Sequence, residues 1–546
     1  MTAVVTLVVF LTGVAVTVGL GQKAADDVRD AHRGQGLGAG PTLATSPDLT
    51  PTCVNAPAGW LTAEATRTGQ NLLPPDAFPV GIGPVVGYLD RSSTVCGHPV
   101  GLHLAASGRR PPVRVQVQAL RVGAYPGGPT RVVWKSPDVT VRRQPNAQAS
   151  AGRTTVVATW SVALAITPTS AWPPGLYLLR IFPVDAPARA SYVPLRIRTN
   201  GARAPRLVIS SDLTELAYDD YGGISLYGRS GTTSEVAGER AYTASADRPL
   251  HGSGLQQVFS MEVPLARLLD EYRLDADWTT DSSYDADPAQ AAGYPSIVLP
   301  GHSEYWTKRM YDALAAQVGA GTNLAVLGAN EIYWQTRLHR DAAGRLTGMT
   351  VFRDRSIDPV VDRSLTTTQW RMWPLQRDPA ALTGEGMAAV GIRGDYRVVS
   401  APGWLFRGTS LHPGDRLVDA VGNEADAVEP AGGHSPANAQ VVLSGQVVPP
   451  ATRRTTLVTA AYYSAPSGAG VFAAGTTFWL CGAAGRCPTY APPPRTRAVL
   501  AALTVNVLRA FARPAFGAIE PSRTVPALPL VRRSVVPSLP LPGPLG

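Results

Sequence analysis

The chain has 546 residues, a formal net charge of +9, 45% hydrophobic residues and four cysteines. Its length exceeds what a single hydrophobic core normally holds, so we expect two or three domains. The basic residues are mostly arginines scattered along the chain, without the clusters or aromatic interleaving of a nucleic-acid-binding surface, so no nucleic-acid partner is expected.

The N-terminal residues 3–20 are apolar or small and carry no charge. A stretch of this length fits a secretory signal or a single membrane span, and residues 1–22 are assigned to one of these. Residues 23–70 are rich in Gly, Pro, Ala, Thr and Asp, which is typical of a linker. We expect an exported, extracytoplasmic protein, membrane-anchored or secreted, that meets a membrane only through this segment. A misassigned start codon is the alternative.

Short strands alternate with turn clusters between residues 71 and 200. In residues 113–120 three valines and an alanine alternate with arginine, glutamine and leucine. Repeated short strands at this spacing predict an antiparallel, immunoglobulin-like β-sandwich. Such domains are usually binding or structural modules.

The pattern changes after residue 200, where short buried strands begin to alternate with helices. The predicted elements are strands at 206–210, 276–280, 296–300 and 323–328 and helices near 264–273, 306–318 and 496–512. This alternation predicts an α/β domain with a mainly parallel sheet over residues 201–512. Residues 350–460 are interpreted as an insertion or β-rich extension, and residues 513–546 as a Pro-rich disordered tail.

The four cysteines predict disulfides, because an even, small number beside an export segment favours them. Cys481 and Cys487 enclose a short loop that can close on itself. Cys53 can then pair with Cys96. A zinc site built from all four thiolates would need closer pairs than these spacings offer.

A turn of sequence Gly-His-Ser-Glu-Tyr, residues 301–305, lies where a predicted strand passes into a predicted helix. The loop 328–331 follows a neighbouring strand. Because sites in open α/β sheets form at the carboxyl ends of the strands, both loops should open on the same side. The two loops are therefore the candidate site.

Three kinds of chemistry fit the turn to different degrees. Ser303 can be the nucleophile of a serine hydrolase, although Tyr305 stands where that strained turn needs glycine, and Ser303 can instead cap the helix. A zinc deaminase would need a downstream P-C-x-x-C pair that the chain lacks. A metal site with oxygen ligands would use Glu304 as a ligand and His302 as an acid or base.

Several motifs stand in a fixed order along the chain. They are GYLDRSS (87–93), ALRVGAYPGG (119–128), WPPGLYLLRI (172–181), AYDDYGGISLYG (217–228), DRP (247–249), LPGHSEYW (299–306) and LGANEIYW (327–334). Together they make the chain similar, over about residues 81–511, to the large subunit of N,N-dimethylformamidase and the family that shares its C-terminal region. The resemblance implies an amidotransferase-like architecture for the α/β domain.

The family enzyme is a formamide hydrolase with a mononuclear ferric iron held by two tyrosines and one glutamate. By motif, the resemblance places these ligands on Tyr177, Tyr218 and Glu304, with Tyr221 and Tyr227 competing for the role of Tyr218. It places His302 and Asn330 beside the iron, the first to move a proton and the second to hold the substrate or the developing oxyanion. Phenolate and carboxylate are hard oxygen donors that suit a ferric ion.

The function that the resemblance implies is a metal-dependent amidohydrolase that cleaves a small non-peptide amide with a metal-activated water. A small helical subunit, as in the family enzyme, or a homo-oligomer is the expected partner. Asp219 and Asp220 follow Tyr218 and can alter the metal or the substrate, so N,N-dimethylformamide itself is not the expected substrate. Two alternatives stay open: a non-catalytic cell-surface binding protein that keeps the fold, and the serine hydrolase.

Overall fold

The structure is a computed structural model that describes residues 53–74, 83–107, 112–149, 154–229, 240–429 and 433–525. Within these ranges the protein is mixed α/β, with strands in several sheets. The predicted export segment, the first part of the predicted linker and residues 526–546 of the predicted tail lie outside the described residues. No helix in the described part of the chain is long and apolar enough to cross a membrane.

Two sheets with a common core form the first part of the fold. The elements are α1 (Trp60–Glu64), β1 (Val85–Leu89), β2 (Ser93–Val95), β3 (Val100–Ala106), β4 (Val113–Tyr125), β5 (Gly128–Lys135), β6 (Val139–Val141), β7 (Gln148–Ala149), β8 (Val156–Val157), β9 (Val162–Ile166), β10 (Gly175–Pro183) and β11 (Ser191–Arg198). One sheet has the order β1-β3-β9 and the other β2-β11-β10-β4-β5, with β6 beside β4. Side chains from both sheets, such as Leu104, Val117 and Leu195, share one buried cluster. The predicted pair of β layers is present.

The second part of the fold is built on a larger sheet. Its elements are β12 (Arg206–Ser210), α2 (Asp212–Tyr218), β13 (Ile224–Ser225), β14 (Gly228–Arg229), β15 (Thr243–Ser245), α3 (Gly252–Gln257), a π-helical turn (Val258–Glu262), α4 (Val263–Glu271), β16 (Asp277–Thr280), α5 (Asp281–Ala286), a 3-10 turn (Pro288–Ala291), β17 (Ser296–Leu299), β18 (Tyr305–Trp306), α6 (Lys308–Gly319), β19 (Asn323–Val326), β20 (Trp334–Gln335), β21 (Arg337–Arg340), β22 (Leu346–Thr350), a 3-10 turn (Arg363–Leu365), α7 (Ala380–Thr383), β23 (Gly386–Val398), β24 (Arg416–Ala427), β25 (Gln440–Val447), β26 (Thr456–Ser464), β27 (Gly470–Ala473), α8 (Trp479–Ala484), α9 (Pro494–Ala510) and α10 (Phe516–Ile519).

The large sheet has nine strands in the order β16-β12-β17-β19-β27-β26-β25-β23-β24. The pairs from β16 to β27 are parallel and the pairs from β27 to β24 are antiparallel. The short strands β12, β17 and β19 are buried at every residue, as expected of parallel strands covered on both faces. The prediction of a mainly parallel sheet is thus correct for only four of the eight strand pairs. The stretch interpreted as an insertion or extension supplies the antiparallel half.

The edge strand β24 curls back towards the parallel half of the sheet. Ala425 bridges to Thr476, and the amide of Asp426 donates to the carbonyl of Gly475, at 3.1 Å. These bonds bring the end of β24 beside the carboxyl end of β27. Side chains on β24 can therefore reach the loops that follow β17 and β19.

The helix predicted from about residue 306 starts two residues later, at Lys308. Its N-cap is Thr307, whose hydroxyl accepts the amide of Met310. The proposed capping role of Ser303 is wrong, because Tyr305 and Trp306 intervene as β18 and pair with β20.

Both predicted disulfides, Cys53–Cys96 and Cys481–Cys487, are present. The chain beside Cys53 is held against the sheets, since the buried Glu64 accepts hydrogen bonds from Arg131 at 2.6 and 2.9 Å. At the other end, residues 513–525 pack on the large sheet, where the Tyr462 hydroxyl donates to the Glu520 carbonyl at 2.7 Å and Gln440 bridges to Val525.

Buried ion pairs join the two parts of the fold. Arg196 on β11 has no exposed surface and donates to Glu215 on α2 and to both oxygens of Glu262, at 2.8 and 3.0 Å. Arg121 on β4 donates to both oxygens of Asp270 on α4, at 2.6 and 3.0 Å. Both arginines therefore come from the first part, and the carboxylates that accept these hydrogen bonds come from the second.

Candidate metal centre

The loops after β17 and β19 lie against each other. Gly301 has φ 77°, and a Cβ on Gly328 would stand 1.8 Å from the Gly301 carbonyl oxygen, so this close approach requires glycine. Backbone amides of the second loop bind the first, with Ile332 donating to Ser303 at 2.8 Å and Trp334 to Glu304 at 2.9 Å. The side chains of both loops consequently meet at one edge of the sheet, as predicted.

His302, Glu304 and Asn330 are together in the structure, and all three are buried. His302 Nε2 lies 3.6 Å from Glu304 Oε2 and 3.4 Å from Glu424 Oε2. The side-chain Nδ2 of Asn330 donates to Glu424 Oε2 at 2.7 Å. The backbone N–H of Asn330 donates to the carboxylate of Asp426, with both oxygens at 3.0 Å. The strand β24 thus adds two carboxylates that sequence reasoning missed.

Two tyrosines complete the cluster. The Tyr227 hydroxyl donates to Glu304 Oε2 at 2.5 Å, and its ring centroid lies 4.1 Å from that of Tyr218. The Tyr218 ring is also 5.5 Å from the His302 ring, in an edge contact. Tyr305 donates to the Tyr227 hydroxyl at 2.9 Å, and the Arg353 guanidinium lies 4.2 Å from the Tyr227 ring centroid. Tyr218 and Glu304 are therefore brought together, with Tyr227 as the second phenol.

Tyr177 is not part of this cluster. It lies on β10 in the core between the two smaller sheets, where it stacks on Trp172 with a centroid distance of 5.3 Å. Its hydroxyl donates to the carbonyl of Pro173 at 2.7 Å. Tyr177 faces the inter-sheet core because side chains alternate along a strand, and this orientation points it away from the loops of the large sheet. The structure does not place it with the predicted ligands.

Tyr221 is also apart from the cluster. Its ring makes an edge contact with Trp160, at a centroid distance of 6.3 Å. Asp219, which follows Tyr218, instead pairs with Arg248 at 2.9 Å. Of the tyrosines considered from the sequence, Tyr218 and Tyr227 are the two that meet Glu304 or His302.

Ser303 is not arranged as a nucleophile. Its side chain is fully buried, and Oγ accepts the Trp306 indole N–H at 2.8 Å and donates to Asp281 at 3.3 Å. The His302 imidazole contacts Glu304 and Glu424 instead. A serine nucleophile is commonly activated by a histidine base, and no histidine of the described residues contacts Ser303 Oγ, whose one acceptor there is Asp281.

The pKa values of the buried groups determine the charge state of the cluster. Burial lowers the pKa of His302, but the carboxylates of Glu424 and Glu304 outweigh this effect and raise it to about 9. Burial raises the pKa of Glu304, and it raises the pKa of Tyr218 and Tyr227 well above the usual range. Burial would also raise the pKa of Glu424, but the His302 charge holds it below normal. Without a cation, the centre therefore holds one imidazolium–carboxylate pair beside neutral phenols.

The metal-free protein is expected to lose stability as the pH rises from about 4 to 9. The pKa of His302 is about 9 in the folded state, compared with 6.5 for an unperturbed histidine. Burial raises the pKa of Glu331 to about 8 and the pKa of Asp426 to about 7. The folded state binds more protons throughout this window, so the free energy of unfolding falls with increasing pH. Chemical denaturation of chelator-treated protein over a pH series measures this dependence. A stability that is flat or rises with pH would contradict it.

The donors of the cluster fit a hard cation. Two phenols and two carboxylates supply oxygen atoms, and the imidazole stands beside them. Asn330 Oδ1 is buried and accepts no hydrogen bond, so one more polar atom is left for a ligand. Hard anionic oxygens suit ferric iron better than a soft metal. The residues present thus fit a hard cation such as a ferric ion.

These features define a mixed α/β protein with a buried cluster of phenol, carboxylate, imidazole and amide groups at the carboxyl ends of parallel strands. The chain belongs to the family described as N,N-dimethylformamidase beta subunit-like, C-terminal, whose model matches residues 116–491, more than half of its length. The resemblance inferred from the motifs is confirmed. Comparison with curated proteins gives no match.

Proposed function

We propose that the protein is a metal-dependent amidohydrolase, with a single ferric ion, that cleaves a small non-peptide amide. The observation that carries this proposal is the meeting of Tyr218, Tyr227 and Glu304 with His302 in a member of this family. Two tyrosines and one glutamate match the kind of ligand set that the resemblance implies, with Tyr227 in place of Tyr177.

The roles of the side chains follow from their contacts. Tyr218, Tyr227 and Glu304 would hold the ion, and Glu424 keeps His302 charged and in place. When bound, such an ion supplies Lewis-acid activation of an amide carbonyl and of a water molecule. Burial of the whole cluster excludes bulk water and a folded peptide, which favours a small substrate.

His302 and Asn330 would act on the substrate. The carboxylates of Glu424 and Glu304 raise the pKa of His302 in the metal-free site, and a protonated His302 could donate to the departing amine nitrogen. Asn330 Nδ2 is engaged by Glu424, whereas Oδ1 has no donor, so Asn330 would orient the substrate or water as an acceptor. This use of Asn330 replaces the oxyanion role considered from the sequence.

Three finer features are part of the proposal. The two smaller sheets would form an immunoglobulin-like sandwich, and the part built on the nine-stranded sheet an amidotransferase-like unit. Two disulfides are consistent with an extracellular protein and support export. A small helical subunit or a second copy of the chain is the proposed partner beside the amide substrate.

The test is metal analysis joined to a hydrolysis assay on the purified full chain. We expect one iron per chain, a visible tyrosinate-to-iron absorption band, and release of amine from small formamides. Glu304→Gln should lose the band and the hydrolysis together, because the ligand charge is removed at nearly constant volume. Ser303→Ala is the matched control and should keep both.

Two outcomes favour the alternatives. A folded, colourless, metal-free protein without hydrolysis would support the non-catalytic binding protein. Loss of hydrolysis in Ser303→Ala with the iron band intact would support the serine hydrolase.

A further inference from the structure

A second group of metal-ligating side chains lies outside the candidate centre. Asp378, Glu429 and His434 each offer one ligand atom, and these three atoms lie within 4.8 Å of one another. Asp378 precedes α7, Glu429 follows β24, and His434 lies in the connection from β24 to β25. Asp378 thus meets two residues that belong to a different, later segment of the chain.

The spacing of these atoms matches a metal site better than a hydrogen-bonded ion pair. His434 Nδ1 lies 3.5 Å from Asp378 Oδ2 and 3.5 Å from Glu429 Oε2. Neither contact has the geometry of a hydrogen bond, which for N–H···O is typically 2.7–3.2 Å. In a tetrahedral site with metal–ligand bonds of about 2.0–2.1 Å, the ligand atoms are about 3.3 Å apart. The imidazole nitrogen is therefore close to the position that a ligand would take.

Asp378 has an oxygen left for a ligand. Its side chain is only 3% exposed, and its Oδ1 accepts the Ala380 amide at 3.0 Å. The other oxygen, Oδ2, accepts no hydrogen bond from the described residues and faces His434 Nδ1. A carboxylate side chain this buried normally has a counter-charge, and within the described part of the chain His434 is the one cationic partner of Asp378.

Glu429 also has a carboxylate oxygen that can bind a cation. Its Oε2 accepts the backbone amide of His434 at 2.5 Å, and its own amide donates to the Ser435 hydroxyl at 3.0 Å. One lone pair of Oε2 is used by this amide and the second remains for a cation. Among the described residues, no lysine or arginine pairs with Glu429 or Asp378.

We propose that Asp378, Glu429 and His434 form a second metal site, which takes a divalent cation of the zinc class. One imidazole with two carboxylates suits zinc more than magnesium or calcium, which prefer oxygen ligands alone. His434 is 64% exposed, so water can complete the coordination. The site would fasten the β24–β25 connection to the start of α7. Its role would be structural, because it shares no ligand with the candidate centre.

The test is a calorimetric titration of chelator-treated full-length protein with zinc chloride. We expect wild type to bind one zinc equivalent more than His434→Ala, or to bind that equivalent at least about 100-fold more tightly, since even residues that only orient ligands change metal affinity 10–100-fold. Zinc should also raise the thermal unfolding midpoint of wild type more than that of the variant. His412→Ala, which removes another exposed histidine, should behave as wild type.

Two further variants make the result decisive. Asp378→Asn keeps an oxygen for the Ala380 amide but loses charge, and it should weaken zinc binding as His434→Ala does. Glu304→Gln should keep the extra zinc equivalent, which separates this site from the candidate centre. Equal zinc binding by wild type and His434→Ala would overturn the proposal and leave the three side chains as an ion pair only.

Discussion

Tyr227→Phe is expected to reduce bound iron to less than about a tenth of the wild-type content and to slow amide hydrolysis at least about 100-fold. Removing a group that only orients a ligand lowers metal affinity or activity about 10–100-fold, so a larger loss is expected for a ligand. The change removes an oxygen donor that lies 2.5 Å from Glu304 Oε2, and it keeps the ring that packs on Tyr218. Iron content, the tyrosinate absorption band and the hydrolysis rate of the purified variant measure the effect.

Tyr177→Phe is the matched control, because it makes the same chemical change at the position that the motifs indicated. It removes one hydrogen bond to the carbonyl of Pro173 inside the smaller sheets, which should cost about 1 kcal/mol of stability and leave iron and hydrolysis intact. The opposite pattern, with iron lost in Tyr177→Phe and kept in Tyr227→Phe, would refute the ligand set proposed here.

Arg196→Met is expected to lower the free energy of unfolding by about 3–5 kcal/mol, because it leaves two buried carboxylates without their counter-charge. Burial opposes the charge of Arg196, yet Glu215 and Glu262 raise its pKa above the usual range. Denaturation by guanidinium chloride measures the loss. Arg114→Met is the control, since its pair with Asp138 is exposed and should contribute little to stability.

The cause of the loss can be tested by a second change. Replacing Glu215 and Glu262 by glutamine in the Arg196→Met background removes the uncompensated charges and should restore part of the stability. If the single variant is as stable as wild type, or the added changes destabilise it further, the explanation by buried charge fails.

Much of the fold was predictable where the local pattern is strong. The buried runs at β12, β17 and β19 and the apolar face of α9 follow from short-range periodicity. The antiparallel half of the sheet was harder. Strands such as β23 and β24 are long, contain register shifts and alternate irregularly, so no single period marks them. Their place in the nine-stranded sheet depends on pairing between distant segments, which periodicity does not encode.

The loop residues of the candidate centre were predictable, whereas the residues that β24 contributes were not. His302, Glu304 and Asn330 follow strands that a sequence can identify, and the rule for the carboxyl ends of strands brings them together. Glu424 and Asp426 were not predicted, because β24 reaches the loops only by curling back to Thr476. Their one local signal is that the two acids are two residues apart, which places both on the same face of the strand.

The tyrosines show the limit of matching motifs one at a time. Tyr177 lies in a recognisable motif, but a strand residue can face either side of its sheet, and the motif does not say which. Tyr227 lies in the same motif as Tyr218 and was considered only as a competitor for its role. Three-dimensional packing makes the two tyrosines neighbours instead of alternatives.

The curl of β24 has a consequence for the order of events during folding. Asn330 and Glu424, which share a hydrogen bond, are 94 residues apart, and Tyr227 and Glu304 are 77 residues apart. Contacts of such long range form slowly because a large loop must close first. A nascent chain would therefore lack a complete donor set until the end of β24 has reached Thr476, beyond β27. Cation capture would then follow the formation of the sheet.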